Sequence, residues 1–344
     1  MKKLLIDGSF VGKKITGVQR FNRETLCRLA EIPGLKLYLA VPKDTVFDDY
    51  EVPAGVEVVR YGKKNNKFWQ LITLGRLARK MKMLLLCMSN FSPLFRKDYV
   101  VLHDVTYLDK EGRNARLWAF IYRVLVGFRF RRHKLIFTVS EFSRGRILYH
   151  YRRVKPAQVV VVGNGGDHWQ RVGIRKPEIP GLDDRFYLAV GSTSANKNFD
   201  YVIRLAEKNP DKRFIVVGRI DGPYRERSER FPNITFPGYL GNEELKWLYL
   251  HTAGMIQPSF YEGFGLPALE ALNCGCRYLA LSDIPTFTEV YSSVANFLDP
   301  YDFENTIDLD ALRPADEAAV AEVIARYNWT NVANTIFANV EDTE

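Results

Sequence analysis

The sequence predicts an α/β protein of two domains, and three observations carry that expectation. Short apolar runs recur from residues 3–7 to 255–259, and several lead into residues spaced with helical periodicity. The 344 residues suit two domains, and 47% hydrophobic content is enough to fill two cores. Charge then splits the chain. Residues 1–170 carry 32 Lys+Arg against 14 Asp+Glu, and residues 171–344 carry 17 against 26. The balance is +18 against −9, which sets a boundary near 170–183 and an electropositive surface on the first half.

Several classes are excluded early. The opening Met1-Lys2-Lys3-Leu4-Leu5-Ile6-Asp7 stops being apolar at Asp7, far short of a signal-peptide core, and reads as a buried first strand. No run approaches the roughly 18 apolar residues that suggest a transmembrane helix. Cys27, Cys87, Cys274 and Cys276 have neither metal-ligand spacing nor a disulfide framework, as expected of reduced cysteines in a cytoplasmic protein. Gly8, Gly12 and Gly17 do not form G-x-G-x-x-G, which argues against a dinucleotide-binding dehydrogenase. The Asp-x-Asp at Asp308 and Asp310 falls in an expected surface loop, so no metal is expected. No DNA-binding or RNA-binding motif is present.

Taken in order, residues 3–7 form the first strand, and a helix begins at Gly17 with Phe21, Leu26, Leu29 and Ala30 apolar. Residues 36–42 and 56–61 are strands. Residues 65–83 read as an amphipathic helix, with Phe68, Trp69, Ile72, Leu77 and Met81 against Lys67, Arg76, Arg79, Lys80 and Lys82. Residues 113–132 read as a second, equally basic one. Such helices suit the face of an anionic bilayer, or simply pack their apolar sides on the sheet. The strand at 99–102 ends at His103-Asp104, where open α/β sheets bind ligands. The strand at 136–139 runs into a helix start, with Ser140 or Ser143 as the cap. Residues 159–162 form a buried strand ending in Gly163-Asn164-Gly165-Gly166-Asp167, and 175–181 is a linker. Residues 186–190 are the next strand, opening on Gly191-Ser192-Thr193-Ser194-Ala195-Asn196-Lys197-Asn198.

The densest chemistry lies in 258–302, around Tyr261-Glu262-Gly263-Phe264-Gly265-Leu266-Pro267-Ala268-Leu269-Glu270. Pro267 suits a first helical turn and Gly275 follows near the end, so residues 266–273 read as a helix. Glu262 then precedes the helix and Glu270 lies inside it. The turn between them offers backbone N–H groups and a positive helix end to an anion. Carboxylates beside an anion-binding turn suggest a ligand with phosphate and hydroxyls, such as a nucleotide sugar.

This stretch resembles the E-x7-E segment of retaining glycosyltransferases of family 4 (glycosyl transferases group 1). Leu281-Ser282-Asp283-Ile284-Pro285, Glu289-Val290 and Asp299-Pro300-Tyr301-Asp302 continue the likeness in order and spacing. The resemblance implies the GT-B fold: two Rossmann-like domains, 1–172 and 183–325, facing across a cleft, with 326–344 crossing back as a C-terminal helix. Thr16-Gly17-Val18-Gln19-Arg20-Phe21 matches the family's loop near the donor diphosphate, so Gly17 is a donor-binding candidate. His103 resembles the histidine that faces the transferred sugar. Gly191 and Lys197 match the diphosphate loop, but the arginine common there is replaced by Ser192 or Asn196, with Arg219 as a possible substitute. The loop 163–167 echoes Asn-Gly-Val-Asp, with Gly166 in place of valine.

The implied activity is metal-independent retaining hexosyl transfer, with no cofactor beyond the nucleotide-sugar donor. Glu270 would accept from ribose hydroxyls and Glu262 from a sugar hydroxyl. Gly263, Phe264, Gly265 and Leu266 would turn N–H groups to the sugar and diphosphate. Lys197 would stabilise charge on the leaving phosphate. The basic first domain suggests a saccharide acceptor linked to lipid, in O-antigen, capsule or exopolysaccharide assembly on the inner face of a membrane. GDP-mannose is the first guess for the donor, with rhamnose and glucose donors behind it. A GT-B epimerase or phosphorylase, and a non-catalytic nucleotide-sugar binder or scaffold, are the alternatives.

Overall fold

The computed structural model describes residues 2–47, 50–63, 66–94, 96–109, 133–182, 185–192, 194–219 and 230–341. The helix expected over 113–132 lies outside them. The chain divides into two compact units. One gathers Met1–Leu108, Asn114–Asn164 and Trp329–Glu344; the other holds Gly165–Asn328 with a short piece near residue 110.

The first unit is a parallel sheet of β1 (Lys2–Asp7), β2 (Leu35–Val41), β3 (Glu57–Arg60), β4 (Leu84–Cys87), β5 (Tyr99–Val101), β6 (Leu135–Thr138) and β7 (Val159–Val161). Their order is β3-β2-β1-β4-β5-β6-β7, and β1 pairs with both β2 and β4. The central strands are runs such as Leu-Leu-Leu-Cys and Tyr-Val-Val, buried almost throughout, as strands covered on both faces must be. Helix α1 (Gly17–Ala30) buries Phe21, Thr25, Leu26 and Leu29 along one stripe.

The helix expected over 65–83 forms differently. Trp69–Thr73 is a π-helical turn, and α2 (Leu74–Lys80) continues it, so the helix ends earlier than expected. The wider turn buries two consecutive side chains, Trp69 and Gln70. Trp69 Nε1 donates to the Tyr61 carbonyl at 2.7 Å, and Gln70 Nε2 donates to Asp7 Oδ2 at 2.9 Å. Asp7 ends β1 fully buried, and burial raises its carboxyl pKa despite the bonds from Gln70 and the Ser9 N–H. Strand β4, which follows, has no separate sign in the sequence. Ser140 caps α3 (Glu141–His150), its hydroxyl accepting from the Ser143 N–H at 3.0 Å.

The last helix, α9 (Trp329–Asn339), belongs to this first unit. Fully buried Trp329 meets Phe21 edge-on at 5.7 Å, and Lys2 Nζ donates to the carbonyls of Phe337 (3.3 Å) and Val340 (2.6 Å). At about 25 cal/mol per Å2, a ring of that size contributes on the order of 4 kcal/mol.

The second unit is a parallel sheet of β8 (Phe186–Val190), β9 (Arg213–Val217), β10 (Ile234–Gly238), β11 (Gly254–Gln257), β12 (Leu279–Ser282) and β13 (Asn296–Leu298), in the order β10-β9-β8-β11-β12-β13. Its helices are α4 (Phe199–Lys208), α5 (Asn242–His251), α6 (Leu266–Asn273), α7 (Pro285–Tyr291) and α8 (Glu317–Arg326). The chain fills each sheet outward from its middle, so the strand order reverses between β1 and β4 and between β8 and β11. Ligands of open α/β sheets bind at the carboxyl ends of strands at such points. Among the described residues, no helix is long and apolar enough to cross a membrane.

Candidate active site

The loops leaving β8 and β11, the pair at the second sheet's reversal, carry most of the expected residues. After β8, Gly191 leads to the 3-10 turn Ala195–Lys197 and then to Asn198, which is left-handed at φ 52° and ψ 45°. Asparagine tolerates that conformation better than most residues. Asn198 Nδ2 also donates to the carbonyls of Pro258 and Pro300, both at 2.9 Å. Asn196 adds two bonds to the same partner loop: its carbonyl accepts from the Phe260 N–H at 2.8 Å, and its Nδ2 donates to the Tyr261 carbonyl at 3.2 Å. These asparagines lace the two loops together and deliver the residue between them, Lys197, to Glu262.

Lys197 Nζ lies 2.6 Å from Glu262 Oε1. Gln257 Nε2 and Ser259 Oγ donate to the same oxygen, each at 2.8 Å. Glu262 is only 9% exposed, and three donors on one oxygen offset the cost of burying its charge. The backbone is fixed as well, since Thr286 Oγ1 donates to the Glu262 carbonyl at 2.7 Å. A carboxylate and an ammonium held this firmly cost little reorganisation when charge changes beside them.

The chain then turns through Gly263 and Phe264 to Gly265, whose φ of +89° sets the start of α6. Tyr291 OH donates to the Gly265 carbonyl at 2.9 Å, and buried Phe264 packs edge-on against Tyr327 at 5.2 Å. No side chain caps the N-terminus of α6, so the N–H groups around Leu266 and the positive helix end are available to an anion.

Glu270 lies inside α6 and is 9% exposed. Tyr249 OH donates to its Oε2 at 3.1 Å, and His168 Nε2 stands 3.7 Å from Oε1. Burial first, and Glu270 second, raise the Tyr249 pKa well above the ordinary value, so this phenol stays a donor. The same two causes push the Cys274 thiol up to about 12, which keeps it unreactive.

Gly17 and His103 belong to the first unit. Gly17 is exposed and opens α1. His103 follows β5, packs edge-on against Phe21 at 4.8 Å, and places Nε2 3.0 Å from the Met88 carbonyl. A carbonyl only accepts, so Nε2 carries the proton and Nδ1 keeps its lone pair. Burial lowers the His103 pKa, favouring this neutral ring. Arg219 is exposed just past β9, one residue from the point where Gly218 abuts the Gly191 carbonyl.

Gln257, Ser259, Asn198, Thr286, Tyr249 and His168 were not foreseen from the sequence. Gln257 and Ser259 had a readable sign, being polar residues at the carboxyl end of a buried strand next to Glu262. Tyr249 and His168 come from distant segments with no common spacing.

Residues 173–306, which carry the β8 and β11 loops and α6, match the family model for glycosyl transferases group 1. The chain is similar over 97% of its length, at 24% identity, to the O-antigen chain mannosyltransferase RfbU of Salmonella typhimurium, of which 98% is covered. It is 27% identical to O-antigen chain mannosyltransferase B of Escherichia coli over 58% of each chain. Among solved structures, sucrose-phosphate synthase from Thermosynechococcus elongatus superposes with a TM-score of 0.73 at 16% identity, covering 98% of both chains. Anabaena HepE in complex with UDP-glucose superposes at 0.70 and 16% identity, covering 98% of this chain and 99% of that one. Residues 173–306 are thus a glycosyl transferases group 1 region, and the chain as a whole has the two-domain GT-B fold.

Proposed function

We propose that this glycosyltransferase moves a hexose, with retention of configuration and without a metal ion, from a nucleoside-diphosphate sugar to a lipid-linked saccharide acceptor in O-antigen assembly. The observation that carries the reading is the Lys197–Glu262 contact at 2.6 Å, set at the sheet's reversal beside the uncapped start of α6. The O-antigen mannosyltransferases among the relatives favour mannose as the sugar and GDP-mannose as the donor. In this reading Glu270 accepts from the ribose hydroxyls and the 263–266 turn meets the diphosphate. Lys197 stabilises the charge left on the departing phosphate oxygen as the anomeric carbon–oxygen bond breaks. The acceptor oxygen bonds to that carbon on the same face and passes its proton to the departing phosphate. Glu262 accepts from a sugar hydroxyl; in the first unit, His103 keeps Nδ1 as a neutral acceptor for a saccharide hydroxyl.

A thermal-shift panel of GDP-mannose with UDP-, dTDP- and CMP-sugars, each with magnesium or EDTA, tests the donor and metal claims. A ligand at 100 times its Kd adds about 2.7 kcal/mol to a native state that alone binds it. A shift with GDP-mannose that is the same in EDTA is expected. A shift with none of the four nucleotides would favour the non-catalytic reading, for which the arginine missing from the β8 loop is the specific observation.

The acceptor claim places basic surface of the first unit on an anionic bilayer. Phe68 is 63% exposed beside Lys67, and Arg79 and Lys80 end α2. Tyr149 is 60% exposed, with Arg146 stacked over its ring at 4.8 Å. Exposed aromatics among cations are the pattern of interfacial contact. The protein is expected to sediment with phosphatidylglycerol vesicles at low salt, and Arg79→Glu with Lys80→Glu should weaken that by about thirtyfold or more, at about 1 kcal/mol for each basic residue lost. No binding at low salt would remove the membrane from the proposal.

A further inference from the structure

Glu270 is flanked by Tyr249 and His168, and neither the motif nor the proposed chemistry gives His168 a task. It is 2% exposed, in the 3-10 turn Asp167–Arg171. That turn is held from several directions. Lys246 of α5 donates to the carbonyls of Trp169 (2.7 Å) and Val172 (2.6 Å), and Trp169 meets Tyr249 edge-on at 5.4 Å. Gly166, just before the turn, lies directly against α6. A Cβ there would stand 2.2 Å from Asn273 Nδ2 and 3.0 Å from Leu269 Cγ. Asn273 meets that position with the end of its side chain, so the turn packs on α6 through side-chain contacts. Held there, the imidazole places Nε2 3.7 Å from Glu270 Oε1.

We infer that His168 is a positioning residue for the Glu270 carboxylate, so that the nucleoside's ribose hydroxyls meet an acceptor already set in place. Tyr249 holds Oε2 by a hydrogen bond. His168 stands off Oε1 at a distance too long for one, orienting that oxygen while leaving it able to accept from the ligand. This rests on the proposed role of Glu270 as the ribose contact.

The test compares GDP, UDP and CDP with their 2′,3′-dideoxy analogues on the full chain, by direct binding to wild type, His168→Gln, His168→Leu and Glu270→Gln. For whichever nucleotide binds, wild type should prefer the ribose form by about tenfold or more, the usual effect of a hydrogen bond to a charged group. His168→Leu should lose most of that preference, and His168→Gln, whose amide nitrogen can stand in for Nε2, should keep it. Affinity for the dideoxy form should be the same throughout. Both ligands are measured on one protein, so a loss of folded material cancels in the ratio. An unchanged preference in His168→Leu would overturn the inference while leaving Glu270 in its role. No preference in wild type, with Glu270→Gln behaving alike, would remove the Glu270 reading and the inference with it.

Discussion

Lys197→Ala is expected to lower kcat by about 10²–10³, the usual cost of removing one preorganised donor to developing charge. The effect should fall on kcat more than on the donor KM, because the diphosphate carries its full new charge only as the sugar leaves. Lys197→Arg should recover little. The Nζ contact with Glu262 Oε1 at 2.6 Å is a point charge in a narrow place, and a planar guanidinium does not fit it in the same way. The alanine variant should also be less stable by about 1–3 kcal/mol, since a buried carboxylate loses a charged donor and keeps only Gln257 and Ser259. Adding Glu262→Gln should restore the melting temperature without restoring turnover, which separates the catalytic loss from the structural one. Turnover within tenfold of wild type in Lys197→Ala would remove the lysine from the mechanism.

Gly218→Ala is expected to be the most damaging of the conservative substitutions. Gly218 has φ +141°, and a Cβ there would lie 1.7 Å from the Gly191 carbonyl oxygen. That obstacle is backbone, held at the end of the β8–β9 ladder by the Gly191 N–H bond to the Val217 carbonyl at 2.9 Å, so no rotamer relieves it. The loss should be about 3 kcal/mol or more. For a unit of this size that is a melting temperature lower by roughly 6–12 °C. The displaced carbonyl also belongs to the loop that carries Lys197, so turnover should fall in whatever fraction stays folded. Gly145→Ala is the control. Gly145 sits inside α3 with nothing within 4 Å of its Cβ position, and alanine there should stabilise by roughly 0.5–1 kcal/mol. A Gly218→Ala protein that melts with wild type would mean the two loops are less closely packed than the geometry requires.

Much of the fold was legible in the sequence because local rules decide it. A buried parallel strand needs a continuous apolar run, so β8 and β11 could be read directly. Pro267 near the start and Gly275 after the end fixed α6, and with it the placing of Glu262 before the helix and Glu270 inside it. Strand β4 escaped because Leu84–Cys87 adjoins a helix of similar apolar content, and periodicity does not divide one apolar run from another. The π-helical turn at Trp69–Thr73 escaped for a different reason. It buries Trp69 and Gln70 together, and Gln70 is matched to Asp7, which is 63 residues away.

The site divides in the same way. Glycines, proline and the two glutamates made the α6 turn readable, because the backbone shape and the charge are both set within ten residues. That Lys197 meets Glu262 is a tertiary fact. It depends on strand order placing β8 beside β11 and on Asn196 and Asn198 bonding across the two loops. The setting of Glu270 between Tyr249 and His168 is another, drawn from three segments whose only link is packing. The sequence by itself therefore determined the resemblance carried by residues 258–302, the α/β class and the residue types that a charged, hydroxyl-rich ligand requires. Only the tertiary structure decided that Lys197 joins Gln257 and Ser259 on one Glu262 oxygen, because hydrogen bonds act over about 3 Å while Lys197 lies 65 residues from Glu262 along the chain.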